Sequence, residues 1–316
     1  MTARPVAAID IGSDTVHLLV GRVVGSPDGS VVERIEQHGE LIELGRQVAL
    51  GGAVGDAAGH ELMRLVLGFV ERGRASAGSV IIAATEALRR ATDGPELVDR
   101  IAHRAGVPVR VLSGTREAEL GLLGARHRLD PAGVQLLLDS GGASTELTIT
   151  DGRTRVASAS LPVGAALLGA SLHGDPPEAL SWALGGVQIG TALEAAPPAS
   201  PHRAWATGGS AHNLAGLDRT AGKSGAQDLT LDDLGRLATQ LLSKGSAKLA
   251  RRSREDPRRV VILPPGLLIV AAVLTHYGLD RVTVVPEGLR DGMIVAATTV
   301  GDAWWMDEGE AAARSR

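Results

Sequence analysis

The sequence has no cysteine, which excludes disulfides, thiolate catalysis and cysteine-based zinc sites and permits a reducing, cytoplasmic setting. Lysine is nearly absent: of 32 basic residues only Lys223, Lys244 and Lys248 are lysines, and the rest are arginines, whose planar fork suits phosphate. An excess of one charge is missing too. A net charge of -4 gives no global field, so nucleic acid is not expected as a partner. A bilayer-length apolar run is also lacking. Val260 to Leu279 carries no charge, but Pro264, Pro265 and Gly266 split it, and it reads as a buried strand followed by a buried helix. Met1 to Asp10 lacks the basic and long apolar regions of a signal peptide, so neither a leader nor a membrane partner is expected. With 316 residues, 44% apolar and 22% charged, the chain reads as globular and long enough for two domains.

One pattern occurs twice. From Leu136 to Ile149, LLLDSGGASTELTI, three leucines run into an aspartate, a small-residue turn and an alternating strand. The apolar run predicts a buried strand delivering Asp139 to the sheet edge, where a bare charge is costly unless a cation, a donor or water meets it. Gly141 and Gly142 let backbone N–H groups turn toward an oxyanion, and Ser144 and Thr145 add hydroxyl donors. Beyond the turn, Thr145, Leu147 and Ile149 alternate with Glu146 and Thr148, so Glu146 points away from the apolar face. Near the N-terminus AAIDIGSDTVHLLV lies over this stretch without a gap, pairing Asp10 with Asp139, Gly12 with Gly141, Thr15 with Ser144 and His17 with Glu146. Two copies of one hairpin predict two α/β halves of similar build. With the halves facing, two anion-binding loops and two carboxylates converge on one interdomain cleft.

Taken in order, Val6 to Ile9 is a buried strand and Val16 to Val24 its hairpin partner, on which His17 reads as a half-buried histidine with a hydrogen-bond partner. Val31 to Leu50 suits further strands, and His60 to Arg74 has helical periodicity. After the buried strand Ser79 to Ala84, ATEALRRA places Thr85 as a helix N-cap, with Arg89 one turn in, able either to reach an anion there or to stay a surface arginine. Val107 to Leu112 is a strand, and SGTREAELGLLGARHR starts a helix near Thr115 with Glu117 in its first turn. Val156 to Leu161 extends the second hairpin, and Pro177 to Ala195 is a helix. In ATGGSAHNLAGL, Thr207, Gly208, Gly209 and Ser210 make a third small-residue turn, either a ligand loop or the tight entry to a helix. Lys244 to Arg259 holds seven basic residues against two acidic, a solvated face or a track for a long anion. Arg281 to Val285 is a last strand. The domains are expected at 1–124 and 125–300, with the helix from Asp291 (291–300) able to pack back on the first, and 301–316, with Trp304 and Trp305, as a tail.

Duplicated hairpins around a cleft are the plan of the actin-like, sugar-kinase and Hsp70 ATPase superfamily, two ribonuclease H-like α/β domains. Within it the chain resembles the exopolyphosphatase and guanosine pentaphosphate phosphohydrolase (Ppx/GppA) family. The segments that carry the likeness are AAIDIGSDTVHLL, ATEALRRA, VLSGTREAEL, LLLDSGGASTEL, SLPVGA, ATGGSA, VVILPPG and GLRDGM, in family order. The length is that of short members without extra C-terminal helical domains. The resemblance implies that Glu117 is general base for the attacking water and that Glu146 assists or helps hold metal. It implies further that Asp10 and Asp139 hold Mg²⁺ directly or through water and that Arg89 binds phosphate. The loops Gly12, Ser13, Asp14, Thr15 and Gly141, Gly142, Ala143, Ser144, Thr145, with the Gly208 and Gly209 turn, would grip phosphoryl oxygens. Such chemistry needs little covalent help: donors and a cation neutralise the equatorial oxygens while a carboxylate orients an in-line water.

Substrate in this reading is inorganic polyphosphate, with guanosine pentaphosphate second. A non-catalytic polyphosphate or alarmone sensor and a kinase are the other classes. Family members are often dimers, which allows a homodimer here. The chain departs from the family pattern at four places. Asp14 stands where Asn is usual and adds an anion to a phosphate loop. Ser140-Gly141-Gly142-Ala143 replaces Ile-Gly-Gly-Gly, which would strain Ala143 by about 1 kcal/mol if positive φ were needed there. Arg116 replaces a glutamate before Glu117, and Glu119 stands where arginine is common.

Overall fold

The computed structural model describes residues 4–25, 30–217, 227–245, 248, 260 and 263–307. By its contacts the chain divides into one unit of Met1–His127 with Glu287–Arg316, and a second of Arg128–Pro286.

The first unit is built on five strands: β1 (Val6–Ile11), β2 (Thr15–Val24), β3 (Val31–Leu41), β4 (Ser79–Ala84) and β5 (Val109–Val111), in the order β3-β2-β1-β4-β5. β1 runs antiparallel to β2 and parallel to β4, so it is the pivot of a mixed sheet. Every residue of β1 is buried, because both faces are covered, as a continuous apolar run predicts. Ala7, Ile9 and Ile11 face one core with helix α2 (Asp56–Ser76), into which Leu62, Leu65, Val66, Phe69 and Val70 project. Ala8 faces a separate core with Leu120, Met293 and Ile294, on helices taken up below.

Between β3 and α2 the expected strands stop short. The pairing ends at Leu41, Glu43 takes a left-handed conformation (φ 55°), and α1 (Leu44–Gly51) follows. The cause is the first loop: the N–H groups of Ile42 and Glu43 donate to the carbonyl of Asp14, and that of Gly45 to Ser13, turning the chain across the hairpin tip. After β4 come α3 (Glu86–Arg90) and α4 (Gly94–Ala105), and after β5 comes α5 (Gly114–Ala125).

The second unit repeats the plan. Its strands are β6 (Val134–Ser140), β7 (Thr145–Asp151), β8 (Thr154–Leu161), β9 (Arg203–Thr207), β10 (Gln227–Thr230) and β11 (Arg281–Val284), ordered β10-β11-β9-β6-β7-β8. The run β8-β7-β6-β9-β11 matches β3-β2-β1-β4-β5 in order and direction, with β10 added at the edge. The fold is therefore two actin-like α/β domains. Its helices are α6 (Ala165–Ser171), α7 (Ala179–Leu193), α8 (Gly208–Leu217), α9 (Leu231–Lys244) and α10 (Leu263–His276). Pro264 and Pro265 occupy the first turn of α10, where a missing N–H costs nothing, and the expected buried helix follows from them. Of the strand expected from Val260, residues 261 and 262 lie outside the described residues, as does the basic run Lys244 to Arg259 apart from 244, 245 and 248.

The last helix, α11 (Leu289–Val300), packs on α5 within the first unit with almost no side chain between them. A Cβ added to Gly292 would stand 1.8 Å from the Leu120 carbonyl oxygen, and one on Gly124 2.1 Å from that of Gly288, so only glycine allows this approach. The expected tail from 301 is instead built in as far as Met306: Trp304 is buried in one core with Leu120, its carbonyl accepts hydrogen bonds from Arg116, and Met306 is buried too. Among the described residues no helix is long and apolar enough to cross a membrane.

Candidate active site

Each sheet carries the same hairpin tip at the carboxyl end of its pivot strand. The N–H of Gly12 donates to the carbonyl of Thr15 (3.1 Å), and that of Gly141 to the carbonyl of Ser144 (3.0 Å). Asp10 pairs across the strands with His17, and Asp139 with Glu146. The gapless overlay of the two sequences is thus reproduced in register. Neither Gly12 nor Gly141 has positive φ. What Gly12 supplies is room, since a Cβ there would stand 3.0 Å from the Thr15 carbonyl oxygen.

In the second loop several groups are already committed. The buried Thr145 hydroxyl donates to the Val163 carbonyl (2.6 Å), so it faces inward and not toward a ligand. The carbonyls of Gly141 and Gly142 accept the first N–H groups of α6, from Ala165, Ala166 and Leu167. This docking is why glycine occupies 164, where a Cβ would stand 2.5 Å from the Ala143 nitrogen. Ala143 is buried without positive φ, so the strain considered for it does not arise. The loop's remaining donors are the Ser144 hydroxyl and the backbone N–H groups at the tip. At the third turn Gly208 is both a helix entry and a close neighbour of the site: it has φ 85°, starts α8, and a Cβ on it would stand 2.3 Å from Asp139 Oδ1. Gly209 beside it is exposed.

Asp10 is 7% exposed, with Oδ2 3.6 Å from Arg290 Nη1 and Oδ1 buried without a partner. Burial raises its pKa against the opposing charge of Arg290. A buried carboxylate oxygen left bare is costly and is relieved by a cation or a donor. Asp139 is half-buried, and its register partner Glu146 is buried and accepts from the Ser160 hydroxyl (2.7 Å). Among the described residues no three His, Asp or Glu side chains gather as a metal cage. Magnesium needs none, since one or two carboxylates with waters and substrate phosphates complete its shell. Within the first unit the bare oxygen of Asp10 suits an ion of that kind, and within the second the Asp139–Glu146 pair does so by itself.

Glu117 lies in the first turn of α5, whose N-cap Ser113 accepts the Arg116 N–H (3.1 Å). It is 7% exposed and accepts from Arg89 Nη1 (2.8 Å). The structure thus brings Arg89 and Glu117 together, but Arg89 also donates to Glu86 and to the Leu112 carbonyl. Burial works against the Arg89 charge, and the Glu117 and Glu86 carboxylates overcome it, so its pKa is raised. Thr85, expected to cap α3 with its side chain, points its hydroxyl back to the Ile11 carbonyl instead. Arg116 and Glu119, both departures from the family pattern, form a buried pair with each other (2.8 Å). The sequence does not mark Arg290 or Ser160 as a site residue: the first lies in the segment GLRDGM, and the second is set apart only by its register with Glu146.

In the first loop Asp14 is partly buried, and burial followed by the neighbouring Glu43 charge pushes its pKa from 3.8 up to about 7. The folded state therefore binds this proton more tightly than the unfolded chain. The group costs nothing below about pH 4 and progressively destabilises the fold as pH rises through 7. Asp14→Asn is expected to raise unfolding free energy at pH 8 by about 1–2 kcal/mol, after allowing for solvent screening of a partly exposed group. The gain should vanish at pH 4, as urea unfolding at the two pH values will show.

A two-domain actin-like chain with a phosphate-sized loop and an aspartate at the pivot of each sheet defines a class of protein that handles phosphoryl groups. Within that class the chain belongs to the Ppx/GppA phosphatase family, whose model matches residues 23–299, and it is a phosphoric anhydride hydrolase. An uncharacterized protein of Streptomyces coelicolor is 29% identical over 314 residues, 95% of this chain and 92% of its own length. The Aquifex aeolicus family member superposes with a TM-score of 0.78 at 24% identity, covering 96% of this chain and 99% of that one. An exopolyphosphatase from Cytophaga hutchinsonii does so at 0.81 and 22% identity, covering 93% and 97%. At these identities the solved structures speak for the fold.

Proposed function

We propose that this protein releases terminal phosphate from inorganic polyphosphate by in-line attack of water, with Glu117 as general base. The reading rests above all on the duplicated tip, in which Asp10 and Asp139 stand at the same strand position before loops closed by the same N–H to carbonyl bond. In this reading the tip donors of Gly12 to Thr15 and of Gly141 to Ser144 hold phosphoryl oxygens. Asp10, Asp139 and Glu146 would hold Mg²⁺, which when bound neutralises charge on those oxygens. Glu117 takes a proton from the water as its oxygen bonds to the terminal phosphorus. The bridging P–O bond breaks, and the shortened chain leaves with the electron pair. The setting proposed is the cytoplasm.

Orthophosphate release should be measured from long-chain polyphosphate, guanosine pentaphosphate and ATP, with Mg²⁺ and after chelation. Polyphosphate is expected to be hydrolysed fastest, with activity lost to chelator and restored by Mg²⁺. Faster release from guanosine pentaphosphate would move the substrate assignment. Tight binding of polyphosphate by calorimetry without release under any divalent metal would replace the enzyme with a sensor.

A further inference from the structure

We propose that Arg116 is a positioning residue for Glu117, fastening the first turn of α5 to the segment that follows α11. The inference rests on Glu117 being the base. Arg116 is 9% exposed, and its guanidinium is fully engaged: Nε donates to the Trp304 carbonyl at 3.0 Å, Nη2 donates to the same oxygen, and Nη1 reaches Glu119 Oε2 at 2.8 Å. Its backbone N–H is taken by Ser113, so both ends of the residue are tied. Successive residues on a helix point about 100° apart, so the Arg116 side chain does not share the Glu117 direction; it acts through the backbone they have in common. Hydrogen bonds from a buried cation are about twice as strong as neutral ones, and here two converge on one carbonyl.

The far side of the clasp is itself anchored. Trp304 is buried in the core that holds Leu112, Leu120 and Met293, and Arg110 of β5 stacks over the next ring, Trp305, at 4.6 Å. Two arginines flanking Ser113 therefore grip one short C-terminal segment. The close contact of α5 with α11 through Gly124 and Gly292 fixes the middle and end of α5. Arg116 adds the constraint that this contact lacks, at the turn that bears Glu117.

The test is Arg116→Lys in the full chain, which keeps a cation beside Glu119 but loses the two-pronged grip on Trp304. The kcat for polyphosphate is expected to fall by about 10- to 100-fold, the loss typical of a small misplacement of a reacting group. KM should stay within about twofold, because uniform binding is untouched. The acid limb of the kcat–pH profile should be displaced. A lowered melting temperature with kcat, KM and the pH profile unchanged would overturn the proposal in favour of a purely structural clasp. Should the lysine variant not fold, Arg116→Met with Glu119→Met removes both buried charges and is read in the same way; failure of this pair to fold also counts against positioning. Glu117→Gln is measured alongside. If it keeps full activity, the base assignment falls and this inference with it, whereas an inactive Glu117→Gln beside a fully active Arg116→Lys sinks positioning alone.

Discussion

Replacing Glu117 with Gln is expected to lower phosphate release from polyphosphate by about two to four orders of magnitude in kcat, the range over which a positioned general base acts. The expectation comes from how the side chain is held. Glu117 is buried in the first turn of α5, where an acidic residue suits the helix dipole, and it accepts from Arg89 at 2.8 Å. Glutamine keeps the volume and the accepting oxygen toward Arg89, and Arg89 retains Glu86 and the Leu112 carbonyl, so the fold should be preserved. What the amide cannot do is take a proton from water. Binding of polyphosphate by calorimetry should stay close to that of the parent while turnover collapses. A variant within about threefold of the parent in kcat would remove Glu117 from the mechanism.

The parts of this picture that were legible in the sequence are those carried by short-range periodicity. LLLDSGGASTELTI and its N-terminal counterpart indicate two hairpins of one build, with Asp10 and Asp139 at equivalent strand ends and Glu146 on the return strand, because alternation and the gapless overlay point the same way; the register itself is seen only in the structure. Interactions made over long separations were not legible. Thr145 looked like a phosphate donor because it follows a glycine turn, yet its hydroxyl belongs to Val163, 18 residues on. Ser160 meets Glu146 only because a register shift between Ile149 and Thr150 moves β8 by one residue, which alternation alone does not reveal. Trp304 and Trp305 sat in an apparent tail, and Arg116 reaches the first of them across 188 residues. From the sequence Arg89 reads equally as an anion contact or a surface arginine, and neither reading reveals its two carboxylate partners, which come from its own helix and from α5. Glu43 gave no sign of its left-handed conformation, since that is imposed by the Ser13 and Asp14 carbonyls of the neighbouring loop.

Gly292→Ala is expected to cost about 3–5 kcal/mol of stability, the upper range for a single substitution that overpacks a core. The added Cβ would stand 1.8 Å from the Leu120 carbonyl oxygen and 2.6 Å from its carbon, and both atoms are backbone. No rotamer change relieves such an overlap, so α5 and α11 must move apart and open the core between Leu120, Met293 and Ile294. Alanine is the better helix former by about 1 kcal/mol, a gain too small to offset the clash. Gly186→Ala on α7 is the control: that position is exposed, nothing lies within 4 Å of its added Cβ, and the same propensity should leave the protein unchanged or stabilised by about 0.5–1 kcal/mol. The urea midpoint should therefore fall for Gly292→Ala and stay or rise for Gly186→Ala, two glycine-to-alanine changes in helices. Because α5 carries Glu117, the Gly292 variant should also lose turnover at temperatures where it is still folded, whereas the Gly186 variant should not. Equal midpoints for the two would mean that α5 and α11 do not pack backbone to backbone, and the support assigned to Glu117 would go with that contact.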